Sequence, residues 1–436
     1  MDKILAAILA GGKGARLYPL TRDRAKPAVP FGGIYRIIDF PLSNCMNAGI
    51  RQILILTQYK CVSLDRHIQL GWNLFSRELG EFVEVVPAQQ RVGERWYEGT
   101  ADAIFQNLYS IERLGPKYTL ILAGDHIYKM DYRLLAGWHR SAEAALTVCA
   151  FEVPRSEGHR FGVIKVDSDM RIVDFLEKPS DPPTIPGRPD TCLASMGIYM
   201  FNTDVMARRL RQDSGDESSS HDFGKDIIPR MVAEGEEVYA YSFVDENRDE
   251  IPYWRDIGTI EAYWEASMDL LAVDPIFNLY DQDWPMHTYM ERCPPAKTVF
   301  AQDYEGGRRG VAFDSLVSNG AIISGGRLER CIVSPRVRVN SYSEVFESVL
   351  FEGVEVGRYV RIRRAIVDKN VFIEPGVHIG YNPELDAKRF TVSDTGIVVI
   401  EKDSHIAFEP DLDRGQALQP PRLREIRDAA ARGHMP

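Results

Sequence analysis

A six-residue spacing of β-branched and aromatic residues governs the second half of this chain. Val333, Val339 and Val345 recur at that interval with Phe351 next in phase; Val354, Val360, Ile366 and Phe372 form a second register; and Ile373 is followed by Ile379. An α-helix repeats every 3.6 residues and a half-buried strand every two, so neither produces this pattern. A stack of coils does, because each coil turns aliphatic side chains inward and none can bury its inner face alone. The expected fold from 297 onward is a parallel β-helix, with short antiparallel strands as the competing arrangement. The spacing slips phase once, as a loop interrupting a coil would make it do.

The first half follows another rule. Apolar runs at Ile4–Ala10, Gln52–Thr57, Thr119–Ala123 and Leu146–Val153 alternate with helical stretches. Continuous β-branched and leucine-rich runs suit parallel strands covered on both faces, and in such a sheet the ligand crevice lies beyond the carboxyl ends of the strands. Gly11-Gly12 and Gly124-Asp125 occupy two of those positions. A break with Pro275, Pro285, Pro294 and Pro295 separates the halves, giving an α/β domain over 1–275, a linker over 276–296 and the β-helix over 297–436. Two more loops are expected: the proline-rich Pro179–Pro189, and Gln212–Asp222, a mobile polar loop with four serines before His221.

The chain carries 52 basic and 63 acidic residues, a net charge of −11. That balance argues against nucleic acid or an anionic membrane as partner of the whole surface, and no apolar run approaches the roughly 18 residues that span a bilayer. The six cysteines form no C-x-x-C pair or zinc-type cluster, so reduced thiols and a cytoplasmic location are expected. Locally the charge reverses. Lys13, Arg16, Arg22, Arg24, Lys26 and Arg36 face the single acid Asp23, a patch of +5 beside the glycine turn of Gly11, Gly12 and Gly14. Glycines let backbone N–H groups approach phosphate oxygens, and fixed cations meet their spread charge. Arg22 alone reads as a solvated charge; Arg16 and Lys26, beside glycines and Pro27, read as ligands. The spacing is neither that of a P-loop nor that of a Rossmann fingerprint.

Leu9–Leu17 followed by Lys26-Pro27 resembles the signature of the sugar-1-phosphate nucleotidyltransferases. Pro87–Gln90, Trp96–Ala103, Gly124–Lys129, Phe175–Pro179, Ala194–Tyr199 and Tyr253–Thr259 narrow the resemblance to the bacterial glucose-1-phosphate adenylyltransferase family, over about residues 3–405. It implies a Rossmann-like (GT-A-like), mostly parallel nucleotidyltransferase domain and a left-handed hexapeptide β-helix. It also implies transfer of AMP from ATP to glucose 1-phosphate, for glycogen synthesis. Residue by residue, Arg16 and Lys26 would hold the nucleotide phosphates beside Gly11, Gly12 and Gly14. Gln89 and Gly99 would contact the adenine, with Tyr97 and Thr100 at the nucleotide. Gly162, Glu177, Lys178 and Ser195 would bind the sugar phosphate, and Asp125 and Asp256 would hold Mg²⁺. Asp125 closes a buried apolar run, where a carboxylate is costly unless a cation pairs it. His126 reads as a packed neighbour.

The attacking phosphate oxygen is already ionised, so the reaction needs positioning and charge neutralisation rather than a general base. Family membership would further imply a homotetramer regulated between its domains by small phosphorylated or carboxylate effectors. The candidate ligands are Arg24, Arg36, Arg363, Arg364, Lys388 and Arg389. Asp23 would repel a bisphosphate, so fructose 6-phosphate or pyruvate is the expected activator. The competing functions are a related enzyme using UTP, dTTP or GTP, a non-catalytic sugar-phosphate-binding subunit, and a hexapeptide acyltransferase relying on His378.

Overall fold

The computed structural model describes residues 3–89, 96–243, 252–302, 304 and 306–410, in two compact units that divide after Arg292. The expected β-helix beyond residue 410 lies outside the described residues.

The first unit is built on a nine-stranded sheet. Ile4–Ala10 lies at its centre, parallel to Gln52–Thr57 on one side and Tyr118–Ala123 on the other, and Phe82–Pro87 extends the parallel set beyond Gln52–Thr57. Ile4–Ala10, Gln52–Thr57 and Tyr118–Ala123 are almost continuously buried, which is why their sequences are runs rather than alternations; Phe82–Pro87, at the edge, is not. The far half departs from the expected parallel pattern. Thr191–Asn202 runs antiparallel to Tyr118–Ala123, Leu146–Pro154 and Gly162–Val166, and its pairing with Leu146–Pro154 is broken by a bulge between Ser195 and Tyr199. Helices close the faces by amphipathic spacing: Tyr132–Ser141 buries Tyr132, Leu135, Ala136 and His139, and the Asp131 carboxylate caps it by accepting from Arg133 N.

The expected linker is mostly part of this unit. Its prolines stop regular structure, but hydrogen bonds fix its path: Trp284 Nε1 donates to Asn44 Oδ1 at 2.8 Å, His287 N to Ser43 Oγ at 2.8 Å, and Thr288 Oγ1 to the fully buried Asp39 at 2.7 Å. Asn44 also donates to the Tyr128 carbonyl, so the segment reaches the strand that follows Asp125.

Among the described residues the second unit is a parallel β-helix with three sheets of six, five and six short strands, of which one, Thr391–Val392, pairs antiparallel. The central coils are shorter than three hexads. Val333 pairs with Leu350, Val339 with Val356 and Val345 with Ile362, each a step of 17 residues. Leu350 therefore takes the inward strand position expected of Phe351, and Phe372, expected inside, is 40 % exposed while Ile373 is fully buried. In these coils the phase slip is thus one short side, repeated, and a separate insertion carrying the helix Pro383–Arg389 lengthens the last step, from Val367 to Ile400, to 33 residues. Substitution tests this register. Ile362→Ala should destabilise the chain by about 2–5 kcal/mol, since it opens a cavity between coils. Phe372→Ala should cost less than about 1 kcal/mol. Equal shifts in urea unfolding would mean that the coil register is wrong.

Candidate active site

The carboxyl ends of the parallel strands converge on one crevice, as the strand order requires. After Ile4–Ala10 the chain enters Gly11–Gly14, and Gly14 adopts φ 61° to start the short helical turn Ala15–Leu17 that carries Arg16. Glycine is needed there twice over: the left-handed backbone disfavours a side chain, and a Cβ would lie 3.0 Å from Thr21 Cγ2 and 3.2 Å from Lys26 Cβ. Lys26 opens a second short turn and is buried to 6 % exposure.

Its ammonium bridges two carboxylates. Lys26 Nζ donates to Asp125 Oδ2 and to Asp256 Oδ1, both at 2.9 Å. Asp125 follows Tyr118–Ala123 and Gly124, while Asp256 ends a strand, Trp254–Asp256, paired antiparallel with His126–Tyr128. That pairing brings together residues 130 positions apart. Burial alone would push the Asp125 carboxyl up, but Lys26 holds it down at about 2; burial would lower the Lys26 ammonium, but Asp125 and Asp256 raise it. Asp125 and Lys26 are therefore both charged near neutrality.

A cavity of about 230 Å³ opens here, lined by Gly12, Gly14, Arg16, Lys26, Asp125 and Gly258 among others. Gly258 escaped the sequence reading, although it sits in the quoted Tyr253–Thr259 run. A Cβ there would lie 3.1 Å from both Arg16 Nη2 and Asp256 Oδ1, so its missing side chain makes room for both. Of the six cations in the basic patch, two line this cavity. Arg22 pairs with Asp23 at 3.1 Å, Arg24 is buried, Arg36 donates to Ser63, and Lys13 lies over the Tyr59 ring. The patch is linear in sequence but dispersed in space.

Asp125, His126 and Asp256 place three ligand atoms within 4.8 Å of one another. Their fit to Mg²⁺ is good on two observations: two half-buried carboxylates supply hard oxygen donors, and the protein already sets a cation, Lys26, between them. His126 packs edge-on against Trp254, its Nδ1 is buried without a hydrogen-bond partner, and burial lowers its pKa, so the ring is neutral.

The remaining expected site residues fall into two groups. On one side, Tyr97 N donates to Gln58 Oε1, the Tyr97 hydroxyl accepts from Asn107, and a Cβ at Gly11 would touch Gln58 at 3.4 Å and Tyr97 at 3.8 Å. Gln58, which follows Gln52–Thr57, is a further residue the sequence reading missed; the strand-end rule could have found it. Gln89 is exposed just past Phe82–Pro87. Gly99 and Thr100 are held by the His221–Asp222 turn: the Thr100 hydroxyl donates to Asp222 Oδ2 at 3.0 Å, and a Cβ at Gly99 would collide with the His221 carbonyl.

On the other side, a Cβ at Gly162 would lie 3.0 Å from Glu177 Oε2. Ser195 stands at the bulge, where its hydroxyl accepts from Gly197 N, and a Cβ at Gly197 would lie 3.7 Å from the His126 ring. Lys178 has φ 49°, lies 3.5 Å from Glu177 and is 64 % exposed, so it is oriented by its backbone rather than by packing. The expected effector ligands separate between the units: Arg24 and Arg36 lie in the first, Arg363, Arg364, Lys388 and Arg389 in the second. Within the second, Arg363 lies 3.7 Å from Glu347 and Arg389 donates to the Ala407 carbonyl.

Residues 5–273 match the nucleotidyl transferase family, and residues 294–400 the C-terminal hexapeptide family of GlmU-like proteins, which accords with a left-handed helix. The chain is 54 % identical to the glucose-1-phosphate adenylyltransferase of Rhodopirellula baltica over 409 residues, 93 % of this chain and 92 % of that one. It is 52 % identical to the glucose-1-phosphate adenylyltransferase of Koribacter versatilis, covering 94 % and 98 %, and 50 % identical to glucose-1-phosphate adenylyltransferase 2 of Vibrio cholerae, covering 94 % and 100 %.

Proposed function

The chain belongs to the glucose-1-phosphate adenylyltransferase family of nucleotidyltransferases, and on that premise we propose that it transfers AMP from ATP to glucose 1-phosphate, giving ADP-glucose and pyrophosphate. The observation that carries the reading is the convergence of Arg16, Lys26, Asp125 and Asp256 at the crevice beyond the central strands. A binding subunit without catalysis could dispense with any of the four.

In this reading a phosphate oxygen of glucose 1-phosphate attacks the α-phosphorus of ATP, and the bond to pyrophosphate breaks. Arg16 and Lys26 meet the charge that moves onto the leaving group, and their fixed positions spare reorganisation at the moment of reaction. Glu177, Gly162 and Ser195 orient the sugar from the antiparallel half of the sheet, with Lys178 on its phosphate. Gly11, Tyr97 and the Gly99–Thr100 turn receive the nucleoside from the parallel half, with Gln89 beside the base. Asp125 and Asp256 would hold Mg²⁺, which when bound supplies neutralisation of phosphate charge.

Pyrophosphate release tests the assignment. With Mg²⁺, release should require both ATP and glucose 1-phosphate, and UTP, dTTP or GTP should each support less than about a tenth of the rate, the scale set by loss of matched hydrogen bonds at a base. Equal turnover with UTP would overturn the adenylyl assignment. The same reading extends to glycogen synthesis in the cytoplasm by a homotetramer under small anionic effectors; among the described residues no helix is long and apolar enough to cross a membrane.

A further inference from the structure

The Tyr97–Asp102 segment is held by a turn that carries a histidine without a part in the chemistry above. The His221 carbonyl accepts from Ala101 N at 2.8 Å and Asp102 N at 3.3 Å. Thr100 Oγ1 donates to Asp222 and accepts from Phe223 N. The polar loop over Gln212–Asp222 carries several side-chain bonds: Ser219 Oγ donates to Asp213 Oδ1, Ser220 Oγ to Asp226, and Arg230 reaches Asp216. Its serines tie down carboxylates.

His221 itself adopts φ 53°, and its side chain is 16 % exposed. Nδ1 lies 2.7 Å from Asp213 Oδ2, at the end of the helix Thr203–Asp213, and Nε2 lies 4.0 Å from Glu98 Oε2. The charged groups facing the ring are therefore Asp213 from the helix and Glu98 and Asp102 from the segment it supports. Asp102 also accepts from Glu98 N at 3.0 Å, which ties Glu98 to the start of the helix that holds Asp102.

We propose that His221 is a positioning residue for ATP: its imidazolium draws Glu98, and with it the Tyr97–Asp102 segment, into the arrangement that receives the nucleotide. The proposal rests on that segment being part of the nucleotide site. Asp213 can only accept, so Nδ1 keeps its proton in both states and the titrating proton sits on Nε2. A neutral ring turns a lone pair toward the Glu98 carboxylate; a charged ring turns an N–H toward it. The hydrogen bond to Asp213, aided by the charges of Asp213, Asp102 and Glu98, outweighs burial and raises the pKa of His221 above its ordinary 6.5. The clasp is complete below that ordinary value and is lost as pH rises through the raised one.

The test compares KM for ATP, KM for glucose 1-phosphate and kcat in the parent, His221→Asn and Glu98→Gln between about pH 6.5 and 8.5. Asparagine tolerates the left-handed backbone and still donates to Asp213, so the turn is retained. Substrate phosphates titrate near pH 6, so the quantity read is parent against variant at each pH. KM for ATP should rise about three-fold more in the parent than in either variant, the scale of one partly exposed ion pair, with kcat and KM for glucose 1-phosphate unchanged. The His221 ring signal in NMR should titrate above the ordinary value and move down in Glu98→Gln. Identical ATP profiles in parent and His221→Asn, a change confined to kcat or glucose 1-phosphate, or a titration indifferent to Glu98 would each overturn the proposal. Normal ATP turnover with flat profiles removes this inference alone; absence of ATP turnover removes the proposed function and the inference with it.

Discussion

Asp125→Asn should lower the rate of ADP-glucose formation about a thousand-fold, some 4 kcal/mol of barrier, while leaving the fold intact. Asparagine has the shape of aspartate, and the loop is located independently by Gly124, where a Cβ would meet the Leu9 carbonyl at 3.0 Å and Ile8 and Ile38 just beyond. What changes is charge. The Lys26 pairing holds the Asp125 carboxyl at about 2, so it is ionised throughout any working pH, and the substitution removes a full negative charge rather than shifting a titration. Lys26 is then left with Asp256 alone, and the cluster of Asp125, His126 and Asp256 loses one of its two hard donors. Asp256→Asn should act comparably, and the double variant should be scarcely worse than either single one, because residues that work as a unit are not additive. Parent-like activity in Asp125→Asn, or strictly multiplicative losses, would overturn the pairing. Far-UV circular dichroism of the variants checks that only chemistry was touched.

Why was Asp125 legible in the sequence and its partnership with Lys26 and Asp256 less so? Asp125 ends an apolar run, and strand order makes such ends functional, so a local pattern sufficed. Asp256 meets Lys26 only because Trp254–Asp256 pairs with His126–Tyr128, and register between distant short strands leaves no local trace. The same limit explains Gly258, whose value lies in what Arg16 and Asp256 do around it. Charge counting misled for a related reason: six cations within 24 residues suggest one patch, but a chain that turns at Gly14 and again at Lys26 sends them to different surroundings. In the β-helix the aliphatic spacing identified the architecture, while the 17-residue coil was masked because two sides keep a six-residue step and one does not. Ser214–Asp222 forms the loop its composition implies, but its bonding left no trace in the sequence, because serine and aspartate mark solvated loops and bonded turns alike.

Lys26→Met should separate two roles that the parent combines. The unbranched apolar side chain fits the same buried space but cannot neutralise phosphate, so kcat should fall about a hundred- to a thousand-fold, the range for losing one fixed electrostatic donor. Divalent binding should move the other way. In the parent an ammonium lies 2.9 Å from each carboxylate and repels an incoming dication; without it Asp125 and Asp256 face each other uncompensated. Mn²⁺ affinity of the nucleotide-free variant, measured by titration calorimetry, should therefore rise about ten-fold or more, since each 1.4 kcal/mol of relieved repulsion is a factor of ten. Weaker Mn²⁺ binding together with lost activity would mean that Lys26 organises the carboxylates rather than competing for them. The opposed signs matter because a merely destabilised site loses both properties together. A lysine that holds the carboxylate pair while the site is empty and turns to phosphate when it fills loses one and gains the other.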